Sequence, residues 1–104
     1  MVKENNMIIR FCELGISLGT RDLGNKLREK IEESIENNDK VIFDLDNIEI
    51  LSNSFADECF AKLLLKFDFD TIKKNTSFIN GNNSNNTIIL KAFKDRMKKI
   101  NKES

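Results

Sequence analysis

The feature that most constrains the fold is an alternation, repeated three times, of short strand-like runs and segments with helical periodicity. The runs are Met7–Cys12, Val41–Leu45 and Thr76–Asn80, and each has the length of one strand. After each run, apolar residues recur three or four positions apart, as on the buried face of a helix. Such alternation is typical of an α/β fold with right-handed crossovers. The sequence therefore predicts a small α/β domain with a mainly parallel sheet of three to four strands and about three helices.

The apolar stripes define the predicted helices. Leucine and isoleucine recur every four positions between about Thr20 and Asn37, and similar stripes cover Ser54 to about Phe67 and about Asn86 to Asn101. Ser54 followed by Asp57 matches the serine–x–x–acid pattern, in which the serine hydroxyl accepts a backbone N–H of the first turn. Ser54 is therefore predicted to cap the second helix.

Length and composition place the chain among small folded domains. It has 104 residues, 39% hydrophobic and 33% charged, which favours one globular domain over 1–104, with flexible ends at 1–6 and 102–104. Formal net charge is zero, so nothing global attracts nucleic acid or an anionic membrane. No run approaches the ~20 apolar residues of a membrane span, and the N-terminus lacks the features of a signal peptide. We expect a cytoplasmic protein.

The missing residue types narrow the chemistry. The chain has no histidine, tryptophan or tyrosine, so the commonest general base and metal ligand is lacking. Cys12 and Cys59 have neither metal-ligand nor redox spacing, and both sit in apolar runs, so we expect reduced core residues. No metal and no cofactor is expected.

Residues 41–46, VIFDLD, offer an enzymatic alternative. An apolar strand ending in Asp-x-Asp resembles the first motif of haloacid-dehalogenase-type phosphotransferases, in which Asp44 would be the nucleophile and Asp46 the acid/base, with Mg²⁺ holding the phosphate. The later strand, however, ends in Asn80-Gly81 without a carboxylate to complete the metal site. We interpret the motif as the polar end of a core strand. A minimal Mg²⁺-dependent phosphatase or nucleotide-binding domain remains the alternative.

Residues 19–26, GTRDLGNK, nearly match a phosphate-binding loop. Gly19 and Gly24 have the required spacing, but Asn25 displaces the lysine and Leu27 replaces the hydroxyl residue. Lysine and hydroxyl must follow the second glycine directly to reach phosphate and Mg²⁺. A nucleotide loop is rejected, and Gly24 is interpreted as permitting close helix packing. A weak anion site at the helix N-terminus near Thr20 stays open.

The C-terminal helix is rich in basic residues. The relevant positions are Lys91, Lys94, Arg96, Lys98, Lys99 and Lys102, against Asp95 and Glu103. Such a face suits nucleic acid or an acidic partner. We interpret it instead as a solvated face, because the rest of the chain balances the charge and basic residues near a helix C-terminus complement its dipole.

Two separated motifs carry a family resemblance. Residues 18–24 read LGTRDLG and residues 54–58 read SFADE. In this order they resemble an uncharacterised bacterial STAS-like family, related to the STAS domains of sulphate transporters and anti-sigma-factor antagonists. The resemblance extends from Ile8 to about Phe93.

The resemblance implies a regulatory domain that binds a protein partner. In antagonist-type STAS proteins a kinase-like ATPase phosphorylates a serine at the start of the second helix. Those proteins carry a pattern like D-L-S-G-V-x-x-x-D-S-S-G between the strand and this helix. Placed on that pattern, Ser52 takes the aspartate position, Asn53 the phosphoserine position and Ser54 the second serine, so the resemblance makes Ser54 and Ser52 the candidate phosphoacceptors. Docking is expected through loops 18–24 and 50–58. The expected partner-binding residues are Thr20, Arg21, Ser52, Asn53, Ser54, Phe55, Asp57 and Glu58.

Three further expectations concern Arg21, Phe55 and the sheet edges. A basic residue at a helix start is unfavourable for the helix dipole, so Arg21 is predicted to pair with Asp57 or Glu58. Phe55 is predicted to act as an apolar plug at the sheet edge. Because a short sheet leaves edges that need cover, a structural homodimer is a further alternative.

Overall fold

Three parallel strands form the sheet of this protein. The structure, a computed structural model, describes residues 6–14 and 21–103. The strands are β1 (Asn6–Arg10), β2 (Lys40–Asp44) and β3 (Thr76–Ile79), arranged in the order β1-β2-β3 with both pairs parallel. The α/β prediction with a parallel sheet is confirmed.

Four α-helices and two 3₁₀ helices surround the strands. The α-helices are α1 (Arg21–Glu36), α2 (Asn53–Cys59), α3 (Phe69–Asn75) and α4 (Asn83–Glu103). The 3₁₀ helices are Phe11–Leu14 and Ala61–Leu65. The first strand therefore ends before Cys12, and the predicted second helix is divided into α2 and a 3₁₀ helix. The structure has one α-helix more than predicted, α3, which precedes β3.

The unpredicted helix α3 is short and has its own cap. Asp68 accepts a hydrogen bond from the Thr71 N–H at 2.8 Å, which satisfies one donor of the first turn. Ile72 is the residue of α3 that is buried, at 2% exposure. A helix with a single buried position has no apolar stripe, which explains why periodicity did not predict it.

A cluster of phenylalanines joins the sheet to α2. Phe11, Phe43, Phe55 and Phe60 are each at most 1% exposed. The ring of Phe60 lies 5.0 Å from that of Phe43 and 6.1 Å from that of Phe55. Edge-to-face pairs of this kind contribute about 0.5–1.5 kcal/mol each beyond the burial of apolar area. The cluster fixes the start of α2 against the sheet.

The helices pack on one face of the sheet. Ile9, Phe43 and Phe78 face the helices, where α2 packs against both α1 and α4. Residues that alternate with them point to the other face, where Ile8 is 52% and Ile79 42% exposed. Within 6–14 and 21–103, no element covers that outer face. Parallel sheets usually have both faces covered.

Candidate functional site

The loop after β2 is anchored by a buried asparagine of α4. Asn85 is fully buried, and its Oδ1 accepts the Leu51 N–H at 2.9 Å. Its Nδ2 donates to the Ile48 carbonyl, also at 2.9 Å. The side-chain amide thus replaces the backbone pairing that this loop lacks, because buried N–H and C=O groups need partners. This contact sets the position from which α2 begins.

The cap of α2 is Ser52. Its hydroxyl accepts the Phe55 N–H at 3.0 Å, and its backbone is extended. The prediction that Ser54 caps this helix is wrong, because the helix starts at Asn53 and places Ser54 inside its first turn. The Ser54 hydroxyl, not being the cap, contributes to a cleft beside the helix.

Asp57 is the meeting point of three helices. Arg96 of α4 donates to its carboxylate from Nε at 3.0 Å and from Nη2 at 2.6 Å. Arg21 of α1 donates from Nη1 at 3.3 Å. Burial raises the pKa of Asp57, but the two guanidinium groups outweigh it and hold the pKa below its ordinary value. The ion pair predicted for Arg21 is confirmed. The ion pair between Arg96 and Asp57 was not predicted from the sequence.

Glu58 forms a second, more buried cluster. It is 8% exposed and pairs with Lys62 at 2.6 Å, Arg21 at 3.1 Å and Arg28 at 3.6 Å. Burial raises the pKa of Glu58, and these cations lower it to below its ordinary value. Gly24 allows the close approach of α1: a Cβ there would lie 3.0 Å from the Glu58 Cβ. The packing role predicted for Gly24 is confirmed.

A cleft lies between the start of α2 and α4, with a volume of about 200 Å³. We call it the α2–α4 cleft. Its lining consists of Arg21, Asn53, Ser54, Asp57, Lys91, Ala92, Asp95, Arg96 and Lys99. Basic side chains therefore outnumber acidic ones in the lining.

The structure divides the expected partner-binding residues. Arg21, Asn53, Ser54 and Asp57 line the α2–α4 cleft, and the Asn53 side chain is exposed. Ser52 serves as the cap and Glu58 is held in its ion pairs. Thr20, with residues 18–20 of loop 18–24 and the anion site suggested there, lies outside the described residues, and residues 21–24 form the first turn of α1.

Phe55 occupies the core rather than an edge. It is fully buried, 6.0 Å from Phe11 between ring centroids. The predicted plug at the sheet edge is therefore wrong. The reason is the earlier start of α2, which turns Phe55 toward the aromatic cluster.

The basic face of α4 is not uniformly solvated. The Arg96 side chain is only 15% exposed, so the interpretation of all these residues as a solvated face is wrong for Arg96. For the other α4 residues of the cleft the sequence did contain a signal, because Lys91, Asp95 and Lys99 recur every four positions, on one side of a helix. Asn85 had a signal too, because it lies four residues before Ile89 on the buried stripe.

The carboxylates of VIFDLD form a turn. Oδ1 of Asp44 accepts the Asp46 N–H and the Asn80 side-chain amide, both at 3.0 Å. The amide of Asn80 and the N–H of Asp46 hold the pKa of Asp44 below its ordinary value. Throughout 6–14 and 21–103, no three cysteine or acidic side chains are grouped so that they could hold a metal ion.

The two cysteines differ in their environment. Cys59 is fully buried in α2, and burial raises the pKa of its thiol. Cys12 is exposed, so the prediction of a core position is wrong for it. The reason is that β1 ends at Arg10, and the following 3₁₀ helix buries Phe11 and turns Cys12 outward.

Comparison with known families matches the central part of the chain. A family model described as a STAS-like domain of unknown function (DUF4325) matches residues 24–86. The chain belongs to this STAS-like family. The match includes the α2 side of the cleft and the first turn of α4, whereas Arg21 and the α4 residues that line the cleft in this STAS-like domain, from Lys91 to Lys99, lie outside it. No curated protein and no solved structure matches the chain significantly. Among the helices in the described ranges, none is long and apolar enough to cross a membrane.

Proposed function

We propose that this STAS-like domain is a non-catalytic regulatory module of the cytoplasm that docks a protein partner at the start of α2. The observation that carries the proposal is the α2–α4 cleft, where exposed Asn53 and half-buried Ser54 stand against the side chains of α4. Polar groups that project from a fixed framework are the usual material of a binding surface.

The framework beneath this surface is rigid. Phe55 anchors the first turn of α2 in the aromatic core, and Ser52 caps it. Asp57 and Glu58 then tie α2 to its neighbours through Arg21 and Arg96. A surface held in one conformation loses little entropy on binding, which favours association. The turn geometry of Asp44 supports a binding role over the phosphatase alternative.

We further propose a kinase-like ATPase as the partner and Ser54 as the residue that switches docking. Family resemblance supports the partner. Geometry favours Ser54 over Ser52, because the Ser52 hydroxyl is engaged in the cap while Ser54 lines the cleft. A phosphate would add about 1.5–2 negative charges and three acceptor oxygens. On Ser54 it would fill the cleft beside Arg21 and mask the docking surface.

Affinity capture from the native cell tests the docking surface. The wild-type domain and Asn53→Arg serve as baits, and Asn37→Arg is the matched control. Asn37 is equally exposed but follows α1, at the opposite end of the sheet. We expect a partner that the wild type and Asn37→Arg retain and that Asn53→Arg loses. Retention by all three baits would disprove docking at this surface.

The homodimer has one observation in its favour. Ile8 and Ile79 on the outer sheet face are about half exposed, and apolar groups on an uncovered sheet face favour association. Light scattering of the purified chain, with Ile8→Asp as the variant, tests it. A monomeric wild type removes this candidate.

A further inference from the structure

The α2–α4 cleft has more positive charge than its own carboxylates neutralise. Its basic residues are Arg21, Lys91, Arg96 and Lys99, and its acidic residues are Asp57 and Asp95. The chain as a whole is neutral, so the excess is a local property of the cleft. We infer that the cleft is an oxyanion site that takes the carboxylate of an acidic side chain of a protein partner. The inference rests on the proposed function and specifies what the partner must present.

The cations of the cleft keep donors available. Arg21 donates to Asp57 and Glu58 through Nη1, and its side chain is 53% exposed, so the remainder of its guanidinium faces solvent. Lys91 pairs with Asp95 at 3.5 Å, with both side chains more than half exposed, and solvent screens such a pair so that it is easily broken. Lys99 has no ion pair within the described part of the chain. These groups can turn to an incoming anion at little cost.

Neutral hydrogen-bond donors of α2 line the side of the cleft that faces the cations of α4. The Ser54 hydroxyl and the Asn53 amide line the same cleft, and neither makes a hydrogen bond to another described residue. A carboxylate has two oxygens that accept several hydrogen bonds, and cationic donors strengthen those bonds. A hydroxyl, an amide and flexible cations around one small space therefore match this group.

The same geometry argues for a side chain of a protein rather than a polyanion. The space that Arg21, Ser54 and Lys99 surround is about 200 Å³, which matches the end of one side chain. Binding to nucleic acid or to an anionic membrane needs a broad basic surface. The acidic residues Asp57 and Asp95 interrupt the basic residues of this cleft, which suits a single carboxylate better than a run of phosphates.

An NMR titration of the ¹⁵N-labelled full chain tests the inference. The probe is a soluble peptide with a central Glu-Glu pair, compared with the same peptide carrying Gln-Gln. We expect saturable amide shifts at 53–57 and 91–99 with the acidic peptide and none with the neutral one. Raising the salt concentration should weaken binding, because salt screens exposed charges.

Two double variants provide the matched comparison. Lys91→Gln with Lys99→Gln removes two charges from the cleft, whereas Lys94→Gln with Lys98→Gln removes two from the same helix outside its lining. All four lysines are exposed, so we expect both variants to fold. The first should weaken peptide binding roughly tenfold and the second less than about twofold, since each exposed ion pair changes an affinity by up to about fivefold.

Each other outcome overturns the inference. Equal binding of both peptides, or an equal loss in the two double variants, shows that the cleft carboxylate contact is absent. Binding of inorganic phosphate or of phosphatidylserine vesicles at the cleft, without binding of the acidic peptide, assigns it to another ligand. A captured partner that depends on Asn53 but not on Lys91 and Lys99 leaves the docking module intact and removes only the acidic anchor.

Discussion

Arg96 holds the carboxylate of Asp57 through two hydrogen bonds, at 3.0 and 2.6 Å, across 39 positions of sequence. Arg21 reaches the same carboxylate at 3.3 Å. One acidic side chain of α2 therefore joins α1 to α4. The two arginines differ in exposure, with side chains 15% exposed for Arg96 and 53% for Arg21. Because solvent screens an exposed ion pair, Arg96 should contribute more than Arg21 to the stability of the fold.

Double-mutant cycles measure that ranking. We expect a coupling free energy of about 1–3 kcal/mol between Arg96→Ala and Asp57→Ala, because the pair is bidentate and largely desolvated. Between Arg21→Ala and Asp57→Ala we expect less than about 1 kcal/mol, since solvent screens Arg21. Urea unfolding of single and double variants gives both values. Additive losses for Arg96 and Asp57 would contradict the structural pairing.

Two serines stand at the start of α2, and only Ser52 caps the helix. Ser52→Ala removes the acceptor of the Phe55 N–H and should lower the free energy of unfolding by about 1 kcal/mol. Ser54→Ala is the control and should cost less than about 0.5 kcal/mol, the usual range for a surface substitution away from caps and networks. Equal losses in thermal or urea unfolding would rule out Ser52 as the cap.

Asn85 of α4 should be the polar residue on which the loop after β2 depends most. Asn85→Ala leaves the buried Leu51 N–H without its acceptor and removes one of two donors to the Ile48 carbonyl, which keeps the Asn82 side-chain amide at 3.2 Å. We expect a loss of about 1–3 kcal/mol in the free energy of unfolding, the cost of one buried group left unsatisfied.

Asn83→Ala provides the matched control for this loop. Asn83 is exposed at the first position of α4, and its substitution should change stability little. Hydrogen exchange at Leu51 adds a local measurement: its amide should lose protection in Asn85→Ala alone. Unchanged protection in that variant would argue against the anchor.

Acid should destabilise the fold through Asp57 and Glu58. Their folded-state pKa values lie below the ordinary 3.8 and 4.5, so the unfolded chain binds protons more readily than the folded one. The stability from their ion pairs is therefore present above the ordinary pKa and is lost as pH falls through the folded-state pKa. Unfolding free energy should fall below about pH 4.5. Asp57→Asn should lower stability at pH 7 and flatten this fall, and an unchanged slope would contradict it.

Much of the fold could be predicted because the apolar residues of its helices and strands recur at the spacing of those elements. The buried residues of α1, from Leu27 to Ile35, repeat every four positions, and the buried Val41 and Phe43 of β2 alternate with more exposed neighbours. Helix α3 was not predicted because one buried residue, Ile72, gives no repeating apolar pattern. Ser52 was missed because two serines two positions apart offer the same capping chemistry, and only the packing of Phe55 decides between them.

The candidate site could be predicted only in part. Arg21 was linked to Asp57 because a cation at a helix start is locally unfavourable and indicates a partner elsewhere. Arg96 carries no such local conflict: a basic residue late in a helix is favourable, so nothing in the sequence indicated its pairing. Its role depends on how α4 crosses α2, which is a property of the tertiary structure.

In the part of the chain that the structure describes, the uncovered outer face of the sheet is a second free surface of the domain, besides the α2–α4 cleft. The α2–α4 cleft opens on the helix side, whereas Ile8 and Ile79 point away from it on the other side. A neighbour on the sheet would therefore not compete for space with one in the cleft. The thickness of the fold therefore separates the two surfaces, so that a substitution on one can be tested without altering the other.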